Sequence, residues 1–218
     1  MQDTVHTLET TSGVSHNPSH HADLFSHCRN TFEAFQGLGD VAENMRILSL
    51  NAELAAGRAG SYGVSIRALT QYTRELVNRL EQINLEMAKI EAFQTVKNDD
   101  DDAATPDDSS AENAVVEAAT EEDTVALMQR FSENHGGVKY LNEQAKRIAE
   151  VVSQSNSIAT NMAIEAATAG QYEETFTNVA NDMRGFVDTL KSMVTKAQDS
   201  IEKAFRSEKA LKDLDAVS

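Results

Sequence analysis

Residues Phe176–Ala204 read FTNVANDMRGFVDTLKSMVTKAQDSIEKA, with small or apolar residues at Phe176, Ala180, Met183, Val187, Leu190, Val194, Ala197, Ile201 and Ala204. The steps alternate between four and three, a period of about 3.5 residues, which marks the seam of a coiled coil and not a strand. Both prolines, Pro18 and Pro106, lie elsewhere, so nothing in the run removes a helical donor. Three other segments carry the same stripe. One runs Cys28, Thr31, Phe35, Leu38, Ala42, Met45, Ser49, Ala52, Ala56, Ala59. The next runs Ile66, Leu69, Thr73, Leu76, Leu80, Ile83, Met87, Ile90, and the third Val138, Leu141, Ala145, Ile148, Val152, Ser155, Ala159, Met162, Ala166, Ala169.

The first and third segments share a register at an offset of 110 residues, through Asn51/Asn161, Ala56/Ala166, Gly60/Gly170, Tyr62/Tyr172, Arg74/Arg184 and Leu80/Leu190. The chain therefore reads as one helical hairpin duplicated. Gly60, Gly63 and Gly170 form the turns, where a left-handed residue ends a helix. The expected fold is all-α: a long antiparallel coiled-coil four-helix bundle built from two hairpins. Helices of about 36 to 46 residues would make a rod roughly 55–70 Å long, with both turns at one end. Hairpin 1 is expected over 23–97 with its turn near 58–63, and hairpin 2 over 124–216 with its turn near 169–174.

The remaining segments have a different composition. Residues 98–123 hold seven Asp and four Glu with no Lys or Arg, most of a net charge of -16. Self-repulsion and few large apolar residues mark an acidic disordered linker. Residues 1–22 carry Pro18, Gly13, many Ser and Thr, and His6, His16, His20 and His21. The last three histidines have a spacing that suits a metal on a helix, but no Cys or carboxylate cluster joins them. A disordered polar tail is the reading, with no metal or other cofactor.

Composition also excludes classes of function. The acidic excess argues against nucleic acid, which needs clustered Lys and Arg. One cysteine excludes an internal disulfide, and no apolar run is long enough to span a membrane, so a cytoplasmic protein without direct membrane insertion is expected. No catalytic constellation is visible: His27 and His135 stand apart, Cys28 and the methionines read as seam filler, and an enzyme is not expected.

The run Asn161-Met-Ala-Ile-Glu-Ala-Ala-Thr-Ala-Gly170, followed by Phe176, Val179, Ala180 and Arg184, resembles the cytoplasmic hairpin tip of bacterial methyl-accepting chemotaxis receptors. Ile47–Gly60, followed by Gly63, Arg74 and Leu76, is similar, so about 35 residues of each copy carry the likeness. Ala55 and Thr168 depart from the pattern where that family has Glu and Arg. The resemblance implies a receptor-dimer tip mimicked in one chain, a soluble signalling protein that binds the chemotaxis coupling adaptor and histidine kinase, with other receptors as further partners at the array. By position it assigns partner contact to Asn51, Arg58, Ser61, Val64, Ile66, Ala68 and Leu69, and to Asn161, Glu165, Gln171, Glu174, Phe176, Asn178 and Val179. Tyr62 and Tyr172 join them as turn-packing residues or contacts. The second reading is an interaction or scaffold module outside chemotaxis, and the oligomeric state is a monomer or a domain-swapped dimer.

Overall fold

The computed structural model describes residues 18–90 and 121–216, and all of its regular elements there are helical. Six α-helices follow in order: α1 (Pro18–Ala34), α2 (Leu38–Arg58), α3 (Val64–Ala88), α4 (Glu121–His135), α5 (Val138–Ala166) and α6 (Glu173–Asp215). Single 3-10 turns, Gly60–Gly63 and Gly170–Tyr172, join α2 to α3 and α5 to α6. The heptad stripes become the core. Every seam position named above is buried except Leu69 and Val152, which are half-buried and pack against it.

α2 packs along α3, α5 along α6, α3 against α5 and α2 against α6. Cross-helix side-chain contacts fix the relative direction of two of these helix pairs. Arg46 reaches Glu81 and Arg74 reaches Glu53, so α2 and α3 run antiparallel. Arg79 donates to Gln154 at 3.0 Å and Arg147 pairs with Glu86, which makes α3 and α5 antiparallel too. Inside the first hairpin the buried Ser49 hydroxyl donates to the Thr70 carbonyl at 3.0 Å. No helix among the described residues is long and apolar enough to cross a membrane.

The segments in register at an offset of 110 residues also match in burial near the turns. Residues 51–60 and 161–170 repeat one alternation of buried, half-buried and exposed positions without a mismatch. Gly60 and Gly170 both adopt positive φ, 59° and 58°, the left-handed geometry that turns each hairpin. Gly63 has an ordinary φ of -95° and serves differently. A Cβ there would sit 2.0 Å from the Ala56 carbonyl oxygen, so glycine is what lets α3 start against the end of α2.

Away from the turns the structure departs from two continuous hairpins. Gly37, at φ 85°, separates α1 from α2, and Gly136 and Gly137, at φ 84° and 63°, separate α4 from α5. Left-handed glycines end helices, and these breaks divide the first and third expected helices into α1 with α2 and α4 with α5, while α3, 25 residues long, ends at its cap residue Lys89 without one. The breaks are not repeat-related: the second-copy residue matching Gly37 is Arg147, inside α5. The expected tail also ends earlier, because α1 begins at Pro18, a residue suited to a first helical turn. Residues 121–123, assigned to the linker from sequence, begin α4. The rest of the tail and of the linker, and residues 91–97, lie outside the described residues.

α1 lies along α6 and α4 packs on α1. On α4, Thr124, Met128 and Phe131 are buried.

Candidate functional site

The two turns meet. The Tyr172 hydroxyl donates to the Arg58 carbonyl at 3.1 Å, and the Tyr62 ring lies 3.8 Å from where a Gly170 side chain would begin. Tyr172 is half-buried and its ring stands 6.3 Å from that of Phe176, whereas Tyr62 is 56% exposed. The repeat-related tyrosines thus do different jobs: one clamps the turns and one faces solvent.

Beside the turns α3 and α5 leave a surface groove of about 300 Å³, lined by Ser65, Ala68, Leu69, Asn161, Ile164 and Glu165. Leu69, Ala68 and Ile164 give it aliphatic walls, and Ser65, Asn161 and Glu165 give it a polar rim. Ile164 is 61% exposed and Val64, the first residue of α3, 63% exposed. These two exposed apolar side chains and the groove make this face the candidate binding surface at the turn end.

Of the residues assigned to partner contact, the structure brings Ala68, Leu69, Asn161 and Glu165 together at this groove. Arg58, Ser61, Tyr62, Val64, Gln171 and Glu174 are exposed at the same end. Asn51 and Asn178 are exposed on α2 and α6 instead. Ile66 and Phe176 are fully buried and Val179 nearly so, at 8% exposed, so these three build the core and not a surface. Sequence reasoning passed over Ser65 and Ile164; Ile164 was detectable as an aliphatic residue off the seam, two positions after the core residue Met162.

Ionisable groups elsewhere serve the scaffold. Glu86 accepts from Arg147, from Gln82 at 2.7 Å and from Gln144 at 3.1 Å. The Arg147 bond, then that of Gln82, hold its carboxyl down to about 2. Tyr140 nearby is raised by burial first and by the Glu86 charge second. Cys28 is fully buried, and burial with the Glu208 charge pushes its thiol up to about 12, leaving almost no nucleophilic thiolate at neutral pH. His20 and His21 lie on α1, His16 lies outside the described residues, and no group of three potential metal ligands occurs among the described ones.

A family model described as HeLo: Prion-inhibition and propagation matches residues 15–218. No curated protein and no solved structure matches the chain. The family match overturns the chemotaxis-receptor resemblance, and with it the coupling adaptor, the histidine kinase and other receptors as partners, the signalling role built on them, and recruitment to receptor arrays. The resemblance covered about 35 residues per copy and combined small seam residues and a turn glycine with other positions such as Asn161, Glu165, Phe176 and Arg184. Close approach of two helices selects small residues, and chain reversal selects a left-handed glycine, in any antiparallel hairpin. Its apparent specificity came from counting two copies, but a duplicated motif is one observation repeated.

Proposed function

The chain belongs to the HeLo family of prion-inhibition and propagation, and from that premise we propose that it is a helical interaction module governing a self-templating assembly through protein contacts, without catalysis. The observation that carries the reading is the groove between α3 and α5, with Ile164 and Val64 held exposed beside it. Its aliphatic walls and polar rim suit an apolar side chain or helix face of a protein partner. The helices behind it act as a rigid platform, an antiparallel four-helix coiled coil in which α2, α3, α5 and α6 share one seam. Non-catalytic action is supported by the roles of the perturbed groups, since Cys28 is sequestered and Glu86 is spent on Arg147. A cytoplasmic location is part of the proposal, supported by a single buried cysteine kept as a thiol.

The test is a propagation assay on a prion-forming protein of the same host, with thioflavin fluorescence as readout and purified chain added. Wild type should change the lag or the yield of fibrils, and Ile164→Asp should lose that effect while circular dichroism stays unchanged. No effect of the folded wild type, or an undiminished effect of Ile164→Asp, rejects the proposal.

A further inference from the structure

α2 presents a second apolar face, on the side opposite the core and away from the groove. Ile47, Leu50 and Leu54 are exposed at 47%, 47% and 61%, while Met45, Ser49, Ala52 and Ala56 of the same helix are buried. Steps of three and then four residues line the three aliphatics along one strip of the helix. The outward side of a packed helix is ordinarily polar. The duplication supplies an internal control, because the matching residues of α5 are Ser157, Thr160 and Ile164. Ser157 and Thr160 occupy exposed positions as well, on a helix with the same inward seam, so the fold does not require Ile47 and Leu50 to be aliphatic.

Charge frames the strip. Glu43 lies one turn before Ile47 and Arg58 one turn after Leu54, and both are exposed. Two α2 helices laid antiparallel and crossing between Leu50 and Asn51 would bring Ile47 of each copy to Leu54 of the other. The same register brings each Glu43 to the other copy's Arg58. A parallel pairing would oppose Glu43 to Glu43 and Arg58 to Arg58, which repel. Glu43 already contacts Arg46 of its own helix at 3.2 Å, but both side chains are about half exposed, and such a pair holds a glutamate weakly.

We propose that this strip is a self-association surface, through which two copies of the chain pair by a two-fold axis near Leu50. The contact is isologous, so one patch serves both partners. A single helix face of about four turns buries less than a standard interface, so the dimer is weak and depends on concentration. This inference stands apart from the groove and does not rest on the function proposed for it.

Sedimentation velocity of the full chain over a dilution series tests it, with circular dichroism confirming the fold of each variant. The mean mass of wild type should rise towards that of two chains as concentration increases. Leu50→Lys should remain one chain throughout, and Thr160→Lys, the control on α5, should behave as wild type. Glu43→Arg should weaken association roughly tenfold, and adding Arg58→Glu should restore it. A mass independent of concentration, association of Leu50→Lys equal to wild type, or a double charge reversal that fails to restore pairing each overturns the proposal. So does a monomer that binds anionic vesicles through Leu50, which would assign the strip to a lipid surface.

Discussion

The Tyr172 hydroxyl bonds the Arg58 carbonyl at 3.1 Å, joining two turns that lie 114 residues apart in sequence. It is a direct polar tie between the hairpin turns, at the end where the candidate groove opens. Tyr172→Phe keeps the ring packed near Phe176 and removes the bond alone. Loss of about 0.5–1 kcal/mol in urea unfolding is expected. Tyr62→Phe, at the exposed counterpart, should leave the midpoint where it is.

Glycine at 63 and glycine at 60 answer to different physics. Gly63→Ala places a methyl 2.0 Å from the Ala56 carbonyl oxygen, a backbone atom that cannot swing aside. The start of α3 must then shift, and a loss of roughly 2 kcal/mol or more is expected. Gly60→Ala meets nothing within 4 Å and bears only the cost of its left-handed φ, about 1 kcal/mol. Thermal unfolding of the two variants should rank them in that order.

Ser155 is fully buried on α5, and its hydroxyl oxygen has no hydrogen-bond partner among the described residues. Its repeat-related position is Met45, so the site tolerates an apolar residue in the other copy. Ser155→Ala removes an uncompensated polar atom from the seam. Denaturation should show a gain of about 1 kcal/mol, and a loss would show that the hydroxyl is satisfied in solution.

Glu86 gives the protein an acid-sensitive tie between α3 and α5. Its folded-state value, about 2, lies below the ordinary 4.5, so the unfolded chain takes up the proton first as pH falls. The contribution is fully present above about pH 5, declines from there towards pH 2, and is gone below both values. The Glu86 side chain is 27% exposed, and solvent screening keeps the contribution to roughly 1 kcal/mol. Glu86→Gln should flatten the stability profile across that acid window and leave the slope near neutrality unchanged.

The seam was legible because burial follows a short period, and Phe176, Leu190 and Ile201 occupy the buried positions their spacing required. The turn glycines were legible for the same local reason. The breaks at Gly37 and Gly136–Gly137 were not, since a glycine in a continuous heptad stripe can remain helical, and Gly185 does so inside α6. Which positions near the turns face solvent depended on how α3 meets α5, a long-range fact. Transfer by motif assigned Ile66 and Phe176 to partner contact although their own seam spacing already placed both in the core. The partner class was the least legible, because residues such as Ala166 and Gly170 report how closely helices approach and not what they bind.

α6 runs for 43 residues without interruption and packs against α1, α2 and α5, while the helices beside it are jointed at Gly37 and Gly136–Gly137. Gly37 abuts it directly, with Met193 3.6 Å from where a side chain would begin. One unbroken mast therefore runs lengthwise from the turn end, and every change of helix direction is confined to the shorter helices beside it. The distance between the two ends is held by α6, whereas Gly37 and Gly136–Gly137 set the directions in which α1 and α4 join α2 and α5.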